Sequence, residues 1–228
     1  MKNKKNKKDA NNINPKFKQL TAKDILSHKK DLKRNMTQKK TNIGIFSVKT
    51  ANKWLKDSNK RPIPNMLFSE FWYEGEICIL FADTNLGKSI LAVQIGDSIS
   101  KGKNITNFKF EAKKQVVVYF DFELSDKQFE GRYSNNYKNH YLFDDSFFRS
   151  EISADNETNN NKKFEDLLKE SIERTIKEKN PNVLIIDNIT YLHDEIEKSK
   201  HAGLLMKYLK DLGRKYNLSI LVIAHTPK

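Results

Sequence analysis

Residues 82–90, ADTNLGKSI, follow the apolar run ICILFA (77–82) and lead into a stretch of helical pattern. The chain has only eight glycines, and one of them, Gly87, falls directly before Lys88 and Ser89. A strand, a loop closed by Gly-Lys-Ser and a helix opened there form the context of a phosphate-binding loop. Backbone N–H groups point inward around an anion, and the helix N-terminus adds its partial positive charge. In that reading Gly87 lets the backbone approach the phosphates, Lys88 reaches the β and γ phosphates, and Ser89 gives its hydroxyl to Mg2+. Asp83, Thr84, Asn85, Leu86 and Ile90 complete the expected nucleotide-binding set, and Ala82 stands where the pattern GxxxxGK[ST] has its first glycine. Lys88, placed by a loop, is expected to be solvent-accessible.

Three more apolar runs follow: VVVYF (116–120), VLII (183–186) and ILVIA (220–224). Continuous β-branched runs of this kind read as strands buried on both faces. Helical segments separate them. One runs from Ser89 to Ser100. KKFEDLLKESIERTIKEKN puts Phe164, Leu167, Leu168, Ile172 and Ile176 on one stripe before Asn180 and Pro181, and Ala202 to Tyr216 aligns Leu205, Leu209, Leu212 and Tyr216. Alternating strands and helices predict an α/β fold with a mostly parallel central sheet flanked by helices, and ligands in such sheets bind beyond the carboxyl ends of the strands.

Each run ends in a residue able to do chemistry. DFEL places Asp121 and Glu123 on one side of an extended chain, and Glu123 is the candidate general base for an attacking water. VLIID ends at Asp187, a candidate Mg2+ ligand with Ser89. ILVIAH ends at His225, which could meet the γ phosphate. The plainer alternatives are a solvated strand-end Glu, an ordinary apolar run closed by Asp, and a loop histidine.

The formal charge of +13 is unevenly placed. Residues 1–40 hold fourteen Lys and Arg against three Asp, whereas the remainder carries 28 basic and 26 acidic side chains. The expected organisation is a basic, largely disordered arm over 1–40, a linker over 41–65 and a core over 66–228. The arm fits either an electrostatic tether for phosphate backbones or a solvated tail. TAKDILSHKKDLKR, capped by Thr21, is a short amphipathic helix at best. A single cysteine, Cys78, rules out an internal disulfide and a multi-cysteine metal site. No run approaches the roughly 20 apolar residues of a membrane span, and the expected location is the cytoplasm.

The order of GEICILFADTNLGKSILAVQIGDSIS, YFDFELSDKQFEGRY, NVLIIDNIT and ILVIAHTPK resembles the RecA-like branch of P-loop ATPases. It is most similar to the AAA family ring-forming group of DnaB-type and plasmid RepA-type replicative helicases, with KaiC-like proteins more distant. The resemblance covers about residues 66–228. It implies a RecA-like ATP-binding core in which Lys88 holds the phosphates, Glu123 activates water, Ser89 and Asp187 hold Mg2+, and His225 senses the nucleotide. It also implies a helicase-related motor in DNA replication or mobile-element maintenance, with single-stranded or duplex DNA and a homo-oligomeric ring as partners. Arg132 falls at a recurring basic position without an assigned role.

Members of that group continue past the sensor strand into strands that carry a trans-acting Arg or Lys finger, so a chain stopping at Lys228 reads as a core truncated at its C-terminus. The alternatives are therefore a non-hydrolysing nucleotide-dependent DNA-binding or loading module, or an inactive fragment. Tyr133 to Asn161 is Asn-rich with interleaved Tyr and Phe, and reads as a surface loop plus one short strand near Phe147 rather than a base-stacking surface. A guanine-reading NKxD match, Asn6 to Asp9, lies in the arm ahead of the phosphate loop, which leaves ATP as the expected nucleotide.

Overall fold

The computed structural model describes residues 42–153, 164–188 and 199–225, together with Lys23. The Thr21 helix and most of the basic arm lie outside the described residues. The chain divides between Pro62 and Ile63 into two units.

In the first unit, β1 (Asn42–Ile43) and β2 (Phe46–Ser47) pair antiparallel around Gly44, followed by α1 (Ala51–Ser58). The helix starts at Thr50, whose hydroxyl accepts from the Lys53 N–H, a standard N-cap. Part of the stretch expected as linker is thus helical, and its cap was visible in the sequence as Thr50 ahead of ANKWLKD.

The first strand of the second unit begins at Met66. Here β3 (Met66–Phe68) pairs antiparallel with β4 (Trp72–Tyr73) and buries Leu67 and Trp72. The elements that follow are β5 (Ile77–Ala82), α2 (Lys88–Lys101), β6 (Val117–Asp121), α3 (Asp126–Arg132), the short β7 (Ser134–Asn135) and β8 (Asn139–His140), and β9 (Phe147–Ser150). The chain then forms α4 (Phe164–Lys179), β10 (Val183–Asp187), α5 (Ser199–Tyr216) and β11 (Ser219–His225). The sheet is five-stranded in the order β5-β11-β10-β6-β9, and every pairing in it is parallel. The expected α/β class with a parallel sheet is what the chain forms.

Period-two alternation sends the two faces of each strand into two cores. Val117, Tyr119, Val183, Ile185, Leu221 and Ile223 pack with Ala92, Val93, Ile95 and Ile99 of α2. On the other face Val118, Phe120, Leu184, Ile186, Ile220 and Val222 pack with Leu168, Ile172 and Ile176 of α4 and Leu205, Leu209 and Leu212 of α5. α2 lies close on the sheet because Gly96 has no side chain: a Cβ there would come within 2.5 Å of the Phe147 ring and 2.9 Å of Ile185 Cδ1.

One expectation fails for β5. Its run has the same composition as the central strands, yet it lies at the sheet edge, with Ile79 43% and Phe81 66% exposed. A continuous apolar run reports burial on both faces only when a strand pairs on both sides, and composition does not say which strand is the edge. The Asn-rich segment supplies the other edge, β9, as expected near Phe147. Tyr133, Phe143 and Phe147 of the segment pack inward, Phe143 and Tyr133 lying 5.8 and 4.6 Å from the Phe129 ring by centroid, whereas Tyr137 and Tyr141 are exposed.

Candidate active site

All five strands run the same way, so their carboxyl ends share one edge of the sheet. The register places Ala82 beside His225 and Asp187 beside Asp121. Asp187, His225 and the segments that follow Ala82 and Asp121 therefore start from that edge.

The loop after β5 is mostly exposed from Asp83 to Leu86. Asn85 and Gly87 take left-handed φ values of 64° and 83°, and Gly87 is the N-cap of α2. An L side chain is strained there, which accounts for the glycine, and no protein atom lies within 4 Å of a Cβ built on it, so the space beside the backbone is open. Ser89 is half-buried on the first turn of α2, and Ile90 is exposed. Lys88 departs from expectation: it is 7% exposed, and its Nζ donates to the carbonyls of Ala82 at 2.8 Å and Asp83 at 2.6 Å. A buried ammonium needs such acceptors, and the loop curls to provide them.

Asp187 is 1% exposed at the end of β10. Burial pushes its carboxyl above the usual range, with Glu123 and Asp121 adding in the same direction, while the hydroxyls of Tyr119 and Ser89 pull it back. Tyr119 donates to Oδ2, whereas Oδ1 is buried and has no conventional hydrogen-bond partner among the described residues. A buried carboxylate oxygen left open beside a hydroxyl fits a hard divalent cation, which takes one or two carboxylates plus phosphate oxygens and water. Ser89 and Asp187 thus suit the Mg2+ expected from the sequence. No group of three or more His, Cys, Asp and Glu among the described residues forms a metal site on its own.

The two acids of DFEL prove to be different. Asp121 is buried and fully engaged: Oδ1 accepts from the N–H groups of Glu123 at 3.2 Å and Leu124 at 3.0 Å, and Oδ2 from Arg149 Nε at 2.9 Å. Glu123 is exposed, and its Oε1 accepts from Asn188 Nδ2 and lies 3.3 Å from His225 Nε2. We assign the His225 proton to Nε2 from this network. The other tautomer would turn a lone pair toward the carboxylate and bury an N–H at Nδ1, which has no partner among the described residues. Asn188 Nδ2 and His225 Nε2, 3.1 Å apart, then both aim at one carboxylate oxygen.

Sequence reasoning assigned no role to Asn188 or Arg149. Asn188 directly follows the acid of VLIID, and its polarity at the end of a buried strand was the available signal. Arg149 carried none, because its partner lies 28 residues away. Arg132 is exposed at the end of α3.

The five-stranded parallel sheet carries helices on both faces, and β5, which leads into the Gly-Lys-Ser loop, is separated from the Asp187 strand by β11. No helix among the described residues is long and apolar enough to cross a membrane. No curated protein matches the chain. Among solved structures, it is similar to a KaiC-like protein from the hyperthermophilic archaeon Pyrococcus horikoshii OT3, at 15% identity and a TM-score of 0.46, over 71% of this chain and 67% of that one. The AAA domain family designated AAA_25 matches residues 47–228, most of the chain, and this P-loop ATPase chain belongs to that family.

Proposed function

We propose that the chain binds ATP with Mg2+ and hydrolyses it, with Glu123 as the general base. One observation carries the reading: a strand-end carboxylate, exposed and held through a single oxygen, shares its edge of the sheet with a Gly-Lys-Ser helix start and a buried carboxylate. Oε1 of Glu123 is occupied by Asn188 and His225, so Oε2 is the oxygen left to take a proton from water. The ammonium of Lys88 rests on the carbonyls of Ala82 and Asp83, and trades them for phosphate oxygens when nucleotide enters. Residues 83–90 wrap the phosphates with backbone N–H groups. Ser89 and Asp187 are the residues that would hold Mg2+, which would supply positive charge to the phosphates. His225, joined to the base at 3.3 Å, senses the γ phosphate.

The finer role is a helicase-related motor in DNA replication or mobile-element maintenance, acting in the cytoplasm as a homo-oligomeric ring on single-stranded or duplex DNA. The domain division that goes with it is an arm over 1–40, a linker over 41–65 and an ATPase core over 66–228. Support for a DNA partner is the basic arm, which holds +11 of the +13 formal charge. The competing reading is a nucleotide-dependent loading module without turnover. ATPase assays with and without single-stranded DNA separate the two: strand-stimulated turnover supports the motor, while tight ATP binding without turnover supports the module. Deleting residues 1–40 should flatten the salt dependence of DNA binding by about 0.7–0.9 in slope for each phosphate the arm had neutralised. An unchanged slope removes the arm from the DNA role.

A further inference from the structure

The edge strand β9 lies beside β6 with Arg149 opposite Tyr119, two residues before Asp121. From there the Arg149 side chain reaches the turn that follows β6. Nε donates to Asp121 Oδ2 at 2.9 Å, one terminal nitrogen donates to the Leu124 carbonyl, and the other donates to Glu151 at 2.8 Å. The guanidinium sits 4.7 Å from the ring centroid of Phe129, on α3. Asp121 passes the restraint on, since its other oxygen holds the N–H groups of Glu123 and Leu124. The backbone at Glu123 and Leu124 is thereby fixed from two directions, while the Glu123 side chain points to Asn188 and His225.

We infer that Arg149 is a positioning residue for Glu123, and that the Asn-rich segment is kept in the fold to deliver it. The inference rests on the reading of Glu123 as the base. Both members of the Arg149–Asp121 pair are secluded, with side-chain exposures of 17% and 0%. A charge pair so withdrawn from water costs desolvation, and its gain is geometric: a planar fork reaching a carboxylate, a carbonyl and a second carboxylate fixes direction as well as distance. Lys offers one point charge and cannot span the three acceptors. A general base displaced by about 1 Å loses up to roughly a hundredfold in rate, so a turn of this kind has reason to be tied twice.

The test uses the full chain with Arg149→Met, which retains the stem over Phe129 but not the fork, and Arg149→Lys. Arg149→Met is expected to leave ATP affinity within about threefold and to slow single-turnover hydrolysis about 10- to 100-fold. It is also expected to speed amide hydrogen exchange at Glu123 and Leu124 while leaving the loop after β5 unchanged. Arg149→Lys should recover part of the rate. In a Glu123→Gln background, Arg149→Met should add no further loss, because its effect runs through that side chain. Wild-type rates in Arg149→Met, a loss confined to ATP affinity, or an independent loss in the double variant each overturn the proposal. Wild-type hydrolysis by Glu123→Gln instead sinks the base assignment. The clamp is then judged by exchange at residues 123 and 124 alone, faster exchange keeping it and unchanged exchange ending it. If Arg149→Met does not fold, Arg149→Lys and Asp121→Asn carry the same comparison.

Discussion

The loop after β5 and the turn after β6 reach the same end of the sheet but are held in opposite ways. The first is held by its neighbours in sequence: two left-handed residues, Asn85 and Gly87, and a lysine whose ammonium returns to carbonyls five and six residues back. The second is held by side chains from elsewhere, Arg149 from the adjoining edge strand β9, Asn188 from the end of β10 and His225 from β11, two strands away. A local device can be rebuilt from a short stretch of chain. A non-local one depends on the whole sheet being in register, so its parts should fail together, and the two sides should respond differently to substitution.

The largest expected contrast lies between the two acids of the turn. Glu123→Gln should retain ATP binding and lose about 10²- to 10⁴-fold in hydrolysis, because the amide keeps the shape and cannot take a proton. Asp121→Asn should lose less activity and more stability, since it removes the buried partner of Arg149 and leaves the guanidinium only the more exposed Glu151, a defect smaller than the roughly 3–5 kcal/mol of a buried pair broken outright. Rate measurements and urea unfolding on both variants check this. A larger activity loss in Asp121→Asn would reverse the roles assigned to the two sides of the turn.

Lys88→Ala tests the local side and is expected to come next in size. Hydrogen bonds to a charged group are worth about 1.5–3 kcal/mol, so Mg-ATP affinity should fall roughly 10- to 100-fold by titration. The variant should not be silent for stability, as accessibility alone would suggest. Nζ serves two loop carbonyls from a buried position, and its loss should lower stability by about 1 kcal/mol. Unchanged nucleotide affinity would remove the phosphate-loop reading.

The same contrast explains what could be read in the sequence. The runs at 77–82, 116–120, 183–186 and 220–224 and the helices between them follow from local periodicity, and the structure bounds them within three residues of the pattern. ADTNLGKSI was legible because strand, loop and helix start are contiguous. The edge position of β5 was not, since Ile79 and Phe81 look like core residues until strand order is known. The division of labour between Asp121 and Glu123 was only half legible: alternation puts them on one side, but the partner that withdraws Asp121 sits in the Asn-rich stretch, beyond α3 and a hairpin.

The smallest expected effect concerns the entry to β9, on which the non-local side depends. Asp144 precedes that strand. Its carboxylate accepts from Lys114 Nζ at 2.8 Å and from the Ser146 N–H at 2.8 Å, and its own carbonyl accepts from the Phe147 N–H. The Lys114 hydrogen bond, followed by that of the Ser146 backbone, holds the carboxyl down at about 2, below its ordinary 3.8. A carboxyl lowered in the folded state adds stability that is present above its unfolded value and is lost as pH falls from about 3.8 toward about 2. The pair is solvent-accessible, so the gain is small. Asp144→Asn should therefore unfold at a slightly lower urea midpoint than the wild type at pH 6, and the gap should close as pH is taken toward 2. If it does, exchange at Arg149 should rise over the same pH range while the loop after β5 is unaffected. A gap that stays constant with pH would mean that the Asn substitution acts through the turn geometry and not through the charge, and would detach acid sensitivity from the β9 side of the site.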